Sequence, residues 1–275
     1  MNKKYGILTW YKTYNYGSAL QAYALQTVIK NLGYNCEFIN YQGHLNNKSV
    51  FKLKRILNKI KKVPFYKQIK EKSRLFNAFI NDNINESKLC GNSREIRSLE
   101  DNYLGFICGS DQIWTPTPNG FDPTYVLDFA SDNIKKISYA PSIGYPRIID
   151  KYKNDMKELI SRFDFISIRE EHGAKIIKEL TGRDSKVVLD PTLLLSQKEW
   201  EAFCVDPNLK EPYILCYFLG NRIGVRNFAR ELKKITGYKL VVIPVLDEDL
   251  FFGDITKINV GPKEFVGLVK NAEYV

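Results

Sequence analysis

The chain has 275 residues, of which 44% are hydrophobic, so it can build one large core or two smaller ones. This composition excludes an intrinsically disordered chain. The formal net charge of +10 favours anionic partners, namely phosphorylated substrates, anionic lipid surfaces or nucleic acid.

The first predicted unit is a strand, a turn and a helix within Tyr5–Gln26. The turn holds Asn15 and Gly17, and Ser18 is the predicted N-cap of the helix. Such a turn presents free backbone N–H groups, which suit a phosphate or carboxylate. It lacks the G-x-G-x-x-G spacing, so it does not predict NAD or FAD binding. The alternative is a first β-α unit without a ligand.

The helix is predicted to run over Ser18–Asn31, and the next strand over Asn35–Asn40. A strand, a helix and a second strand within so short a stretch are typical of a parallel sheet.

The positive charge is concentrated in Lys48–Arg74, within an amphipathic helical pattern that covers Val50–Phe79 and breaks at Pro64. Three interpretations stay open, namely a surface helix packed on the domain, a membrane-surface helix or a nucleic-acid contact. No recognised nucleic-acid-binding motif accompanies the charge, so we expect no nucleic-acid partner.

Two further strands end in polar residues. Tyr103–Cys108 leads directly into G-S-D-Q, and Ile137–Pro141 leads into S-I-G. The carboxyl edge of an α/β sheet is where ligands bind, although a simple turn capped by Ser110 or Asp111 is the alternative. The candidate residues at these two ends are Ser110, Asp111, Gln112, Ser142 and Gly144.

Arg169 follows the predicted strand Phe165–Ile168 and precedes the predicted helix Glu170–Leu180. A guanidinium group suits bidentate binding of a carboxylate or phosphate. The alternative is a salt bridge to Glu170, Glu171 or another carboxylate. Gly182 is predicted to end the helix, before a strand over Lys186–Leu189.

A second α/β unit follows the linker Asp206–Pro212. It begins with a strand over Tyr213–Phe218, a helix over Val225–Thr236 and a strand over Lys239–Pro244. We therefore predict a first lobe over residues 1–205 and a partial second lobe over 206–275. The last residues, Tyr274–Val275, have the pattern of a strand start, which predicts a truncated second lobe.

The five cysteines lack C-x-x-C spacing, and only His44 and His172 accompany them, so the sequence predicts no zinc site. The odd number of cysteines favours a reducing compartment. No apolar run has the length of a secretory signal or a transmembrane span. We therefore expect a cytoplasmic protein.

Several of these pieces together resemble the polysaccharide pyruvyl transferase family. The matching stretches occur in order over essentially the whole chain. They are YGILTWYKTYNYGSALQAYALQ, GSDQIWTP, SYAPSIG, FISIREEHGAKIIKELTG and VVLDPTLLL.

The resemblance implies an α/β fold with two Rossmann-like lobes similar to GT-B glycosyltransferases. It also implies transfer of pyruvate from phosphoenolpyruvate to a sugar of a polysaccharide or glycoconjugate, forming a ketal. That chemistry requires a general acid and cations that hold a phosphate and a carboxylate. It requires no metal or organic cofactor in principle.

Carried over by position, Arg169 matches the family arginine expected to bind the anionic donor. The other matching positions are expected only to line the cleft; they are Asn15, Tyr16, Gly17, Ser110, Asp111, Gln112, Ser142 and Gly144. The family's D-S-F-H-G segment, with its expected general-acid histidine, would lie beyond Val275. Neither His44 nor His172 is a good substitute, so we expect weak donor binding and slow or absent turnover.

Two other functions stay open at this point. One is a nucleotide-sugar-dependent glycosyltransferase of the same fold, and the other is a non-catalytic truncated relative. A lipid-linked acceptor would suit the basic region 48–74 at the inner face of a membrane. The sequence does not identify the acceptor sugar or the oligomeric state.

Overall fold

The computed structural model describes residues 3–43, 63–117 and 120–275. Its contacts divide the chain into two compact units. The first unit comprises Met1–Val50 and Asn81–Leu195, and the second comprises Phe51–Ile80 and Ser196–Val275. The predicted boundary between lobes at residue 205 stays a prediction.

A seven-stranded sheet forms the centre of the first unit, and every pair of neighbouring strands in it is parallel. The order is β3-β2-β1-β4-β5-β6-β7, so the direction of winding reverses between β1 and β4. This confirms the predicted Rossmann-like α/β fold. The strands are β1 (Lys4–Leu8), β2 (Cys36–Tyr41), β3 (Glu86–Cys90), β4 (Tyr103–Cys108), β5 (Lys135–Ser138), β6 (Phe165–Ile168) and β7 (Lys186–Val187).

The helices connect the strands as crossovers, which parallel pairing requires. The described α-helices are α1 (Tyr16–Asn31), α2 (Tyr66–Asn83), α3 (Ser93–Arg97), α4 (Lys153–Ser161), α5 (Glu171–Thr181), α6 (Gln197–Phe203), α7 (Ile223–Thr236) and α8 (Pro262–Lys270). Short 3₁₀ helices cover Val63–Phe65, Glu100–Asn102, Pro123–Val126, Asp150–Tyr152, Pro191–Leu193 and Asp247–Phe251.

The core of the first unit is largest around the central strand β4. Phe106 and Cys108 of this strand are fully buried, because helices cover both faces of a parallel sheet. Trp114 is also fully buried, and its ring centroid lies 5.5 Å from that of Phe163. The polar segment that follows β4 is therefore held in place by the packing of Trp114 in the core.

Several predicted boundaries are wrong by two or three residues, and two of them lie beside the candidate site. The first helix begins at Tyr16, and its N-cap is Asn15 rather than Ser18. Asn15 has extended backbone angles, and its side-chain oxygen accepts a hydrogen bond from the Ser18 N–H at 3.2 Å, which is the geometry of an N-cap. The strand predicted over Ile137–Pro141 lies instead at Lys135–Ser138, because its pairing with β4 ends at Ser138.

A smaller parallel sheet organises the second unit. Its strands are β8 (Tyr213–Cys216), β9 (Lys239–Val242) and β10 (Ile255–Thr256), in the order β10-β9-β8. Tyr274 forms a parallel bridge with Ile214 of β8, as the strand pattern at Tyr274–Val275 predicts.

A buried ion pair joins the segments that follow β8 and β9. Nε and NH2 of Arg226 donate to Oδ1 of Asp249 at 3.1 and 2.7 Å, and NH1 donates to the Gly220 carbonyl at 2.9 Å. Asp249 is completely buried, and its other oxygen accepts the N–H groups of Val245 and Leu246.

The basic region is described only in part. Residues 63–83 form the Val63–Phe65 turn and α2, in agreement with the predicted helix after Pro64. Residues 44–62, which include His44 and the predicted apolar stripe from Val50, lie outside the described residues. Among the helices of the described part, none is both long enough and apolar enough to cross a membrane.

Candidate functional site

The candidate site lies where the order of the large sheet reverses, beyond the carboxyl ends of β1 and β4. In doubly wound α/β sheets this point leaves a crevice in which ligands bind. The Thr9 hydroxyl follows β1 and donates to the Ser110 carbonyl, which follows β4, at 2.9 Å. The two segments that form the edge are thus tied to each other directly.

The buried amide of Gln21 connects α1 to both strand ends. Its Oε1 accepts the Ser110 N–H at 3.1 Å, and its Nε2 donates to the Thr9 hydroxyl at 3.2 Å and to the Trp10 carbonyl at 3.1 Å. Gln21 is only 2% exposed. It therefore fixes the backbone of the turn and does not face a ligand.

The turn before α1 contributes residues of different kinds. Asn15 and Gly17 are exposed at the helix start, whereas Tyr16 is 1% exposed and packs in the core. Ser18 lies in the first turn of α1, and its hydroxyl donates to Oδ2 of Asp111 at 2.5 Å. Of the three predicted lining positions in this turn, Asn15 and Gly17 face solvent.

The segment after β4 has an unusual backbone. Gly109 has φ of +118°, and a Cβ atom there would lie 2.1 Å from the Tyr139 carbonyl oxygen. Asp111 also has a positive φ, +69°. Ser110 is fully buried and donates to the Ala140 carbonyl at 2.9 Å, while Gln112 is exposed. Only glycine fits position 109, where the chain after β4 touches the chain after β5.

The segment after β5 closes against the one after β4. The Ser142 N–H donates to the Asp111 carbonyl at 2.8 Å, and the Ser142 hydroxyl donates to the Glu170 carboxylate. Gly144 has φ of +69° and is exposed, and a Cβ atom there would lie 2.7 Å from the Thr115 hydroxyl. Ser142 is therefore a buried connector, and Gly144 is the exposed end of the turn.

Arg169 pairs with Asp190 rather than with either glutamate that follows it. Its NH1 lies 3.0 Å from Oδ2 of Asp190, and the two side chains are 31% and 21% exposed. The Ser110 hydroxyl also lies 3.1 Å from Oδ2 and shares its single proton between Oδ2 and the Ala140 carbonyl. Oδ1 accepts the N–H and hydroxyl of Thr192. A guanidinium group carries five N–H donors, so pairing through NH1 leaves donors for an anion.

We call this connected set the strand-end cluster. It consists of Ser18, Gln21, Ser110, Asp111, Ser142, Arg169, Glu170 and Asp190. The burial of Tyr139, next to the cluster, raises the pKa of its hydroxyl, and the charge of Asp190 adds to the effect. Within residues 3–43, 63–117 and 120–275, no three His, Cys, Asp or Glu side chains form a group suited to a metal ion.

His172 lies outside the strand-end cluster. It is exposed in the first turn of α5, and its Nε2 lies 2.6 Å from the Pro146 carbonyl oxygen. That it does not replace the family's general acid stays a prediction.

Four members of the cluster are absent from the predicted set of lining residues, and the first of them, Ser18, is predicted only as an N-cap. Gln21 has the position of a capping residue, Asp190 follows β7, and Glu170 follows Arg169. One carboxylate oxygen of Glu170 is buried with no hydrogen-bond partner among the described residues. Asp190 carries the same signal as the other strand ends, a polar residue directly after an apolar run, although the predicted set does not include it.

One comparison with known proteins assigns a family. A family model for polysaccharide pyruvyl transferase matches residues 15–275, which is nearly the whole chain. No curated protein matches the chain.

Proposed function

The chain belongs to the polysaccharide pyruvyl transferase family, and from this we propose that it transfers pyruvate from phosphoenolpyruvate to a sugar as a ketal. Membership in the family makes the protein a transferase that acts in polysaccharide biosynthesis. The observation that carries the proposal is the partly exposed guanidinium group of Arg169 at the carboxyl edge, held in place by Asp190.

The proposed reaction balances without an added oxidant or reductant. A proton adds to the methylene carbon of phosphoenolpyruvate and creates a methyl group. Two hydroxyls of one sugar then form C–O bonds to the adjacent carbon, whose bond to the phosphate oxygen breaks. One of the two hydroxyl protons replaces the proton that was added to the methylene carbon. The other protonates the departing phosphate. Positive charge that develops on the central carbon is balanced by the donor's own carboxylate.

In this proposal Arg169 holds the phosphate or the carboxylate of the donor. Arginine matches the planar, two-oxygen geometry of either group. Asp190 fixes the orientation of the guanidinium group, which reduces the entropy that the side chain loses when the donor binds. The exposed positions Asn15, Gly17, Gln112 and Gly144, together with Asp111, are the proposed lining of the acceptor side.

Several finer points remain predictions. They are the absence of a cofactor, a lipid-linked acceptor, peripheral membrane contact through residues 48–74 and a cytoplasmic location. None of them is needed for the test that follows.

Donor binding tests the proposal. We expect phosphoenolpyruvate to raise the thermal unfolding midpoint of the protein, because a ligand that binds only the folded state stabilises it. Arg169→Gln should remove most of this rise, and Arg169→Lys should keep part of it, since lysine retains the charge but not the fork of donors. Arg97→Gln is the matched control, because Arg97 is exposed on α3 and lies outside the strand-end cluster.

Product formation tests the transfer itself. Phosphate release is measured with a panel of oligosaccharides that offer paired hydroxyls, and the ketal methyl group is detected by proton NMR. Stabilisation by a nucleotide sugar, with none by phosphoenolpyruvate, would instead favour the glycosyltransferase function.

A further inference from the structure

A second concave region lies beside the candidate site in the first unit. It has a volume of about 260 Å³ and is bounded by the segment before α4 and by one face of α5. Four of its lining side chains are basic or can carry a positive charge, namely Arg147, Lys153, His172 and Lys175. We call it the basic cavity.

The positive charge in the basic cavity is only partly neutralised, because the carboxylates beside it are those of Asp150 and Glu179. Lys153 pairs with Asp150 at 2.8 Å, and this hydrogen bond lowers the pKa of Asp150, with a smaller contribution from Arg147. No ion pair joins Arg147 or Lys175 to a carboxylate within the part of the chain that the structure describes. The cavity also lies at the first turn of α5, where the helix dipole adds positive potential.

The remaining walls suit a sugar ring. Ile148 and Ile176 are 2% and 8% exposed and form an apolar floor with Pro146 and Leu180. Glu179 supplies a carboxylate that can accept hydrogen bonds from hydroxyls. Small-molecule sites typically combine an apolar lining with a few polar groups. The volume of about 260 Å³ lies just below the ~300 Å³ at the lower end of their usual size, so the cavity suits a ligand no larger than one sugar residue.

An adjoining concave surface continues from the basic cavity along the segment that follows β5. It has a volume of about 360 Å³, shares Pro146 and Arg147 with the basic cavity, and includes Tyr145. Tyr145 is 48% exposed and directly follows Gly144 at the end of the turn after β5. An exposed aromatic ring beside a polar edge suits the apolar face of a sugar. The two concavities thus share Pro146 and Arg147, and one of them reaches the residue that follows Gly144.

We propose that the basic cavity binds an anionic group of the saccharide acceptor, a carboxylate or a phosphate, at a sugar residue next to the one that is modified. The proposal rests on the proposed function for its description of the ligand as an acceptor. The binding itself does not depend on pyruvate transfer and is tested without phosphoenolpyruvate.

The test is a titration of the whole protein followed by backbone amide NMR. The probes are methyl glucuronide, glucose 6-phosphate, inorganic phosphate and the neutral methyl glucoside. We expect at least one of the two anionic sugars to shift the amide signals of residues 146–153 and 171–176, with methyl glucoside causing no comparable shift. The stronger of the two anionic sugars identifies the group as carboxylate or phosphate.

The variant Arg147→Gln/Lys175→Gln should weaken binding of the anionic sugar by about fivefold, because it removes two exposed ion contacts of modest strength. Lys157→Gln is the matched control, since Lys157 is an exposed lysine of α4 that does not line the cavity. Circular dichroism checks that both proteins are folded.

Three results would overturn the proposal. The first is no shift with either anionic sugar, and the second is binding of methyl glucoside as tight as that of the stronger anionic sugar. The third, where glucose 6-phosphate is the stronger anionic sugar, is equal affinity for inorganic phosphate, which would leave no contribution from the sugar. Failure of pyruvate transfer, with the expected titration, would instead count only against the proposed function.

Discussion

Gly109 shows how closely two strand ends approach each other at the candidate site. The Tyr139 carbonyl oxygen occupies the space that a side chain at position 109 would need. Because this neighbour is backbone, it cannot turn aside as the end of a flexible side chain does. The position is therefore restricted both by its φ angle and by its surroundings.

We predict that Gly109→Ala lowers the free energy of unfolding by about 3 kcal/mol, since it adds a clash to an unfavourable backbone angle. The matched control is Gly33→Ala. Gly33 also has a positive φ, +86°, but a Cβ atom there meets nothing within 4 Å. Its expected cost is about 1 kcal/mol, from the backbone angle alone. Urea unfolding measures the free energy of unfolding of both variants. Equal losses in Gly109→Ala and Gly33→Ala would show that the clash at position 109 is relieved.

Asp190 is a second residue that contributes both to the stability of the fold and to the geometry of the candidate site. We predict that Asp190→Asn lowers the free energy of unfolding by about 1–2 kcal/mol, because it weakens the pair with Arg169 and the bond from Ser110. Asp184→Asn is the control, since Asp184 pairs with Lys178 but is 90% exposed. Its expected cost is below about 0.5 kcal/mol. If Asp190→Asn leaves the free energy of unfolding unchanged, Arg169 is held in place by other contacts.

In the second unit, β8 and β9 are connected by side-chain contacts as well as by the backbone hydrogen bonds between the two strands. Arg226 near the start of α7 binds the carbonyl of Gly220 and the carboxylate of Asp249. Asp249 in turn binds the backbone that follows β9. The pair holds two loops at the carboxyl edge of the small sheet in one arrangement.

Breaking this pair should be costly, because it leaves a buried charge without its partner. We predict that Asp249→Asn lowers the free energy of unfolding by about 3 kcal/mol. Glu248→Gln tests the same arginine from its exposed side, since Glu248 lies 3.2 Å from NH2 and is 48% exposed. Its effect should stay within about 0.5 kcal/mol. Comparable losses in the two variants, measured by urea unfolding, would contradict the distinction between a buried and an exposed pair.

The elements also show what sequence patterns can and cannot define. β4 and β6 have the predicted boundaries, because the ends of a short apolar run mark each strand. The strand β3 has the sequence ESKLC, with few β-forming residues, and it was not predicted. It lies at the edge of the sheet, where pairing with β2 rather than local preference determines the strand.

The site could be predicted only as a set of strand ends. Each end was visible because polar residues directly follow an apolar run, and parallel pairing then brings the ends to one edge. The partner of Arg169 was not visible, because Asp190 is 21 residues away and their contact depends on how β6 pairs with β7. For the same reason Ser18 was predicted as a cap, whereas it contacts Asp111 across the fold.

At the scale of the whole molecule, buried ionisable groups determine how stability depends on pH. Burial raises the pKa of Cys36 and of Cys216 to about 11, and a thiol in an unfolded chain has a pKa of about 8.5. Because the folded pKa is the higher one, the folded state retains protons that the unfolded state loses. The stability associated with these thiols is complete below about pH 8.5 and is lost as the pH rises toward 11.

We therefore predict that the thermal unfolding midpoint falls between about pH 8 and pH 9.5, a range below the ordinary titration of tyrosine. The variant Cys36→Ala/Cys216→Ala should show a smaller fall over this range, although its midpoint at neutral pH is lower. Cys204→Ala is the control, because Cys204 is only partly buried. An equally steep fall in the double variant would exclude the two thiols as the cause.

The shared oxygen of Asp190 has a consequence for how this family varies in sequence. Oδ2 serves Arg169 and Ser110 at once, so a change at position 190 alters the surroundings of both. A substitution that is tolerated should then be accompanied by a second one. Across relatives, positions 110, 169 and 190 are expected to change together, and chains with a neutral residue at 190 should seldom keep both the serine and the arginine.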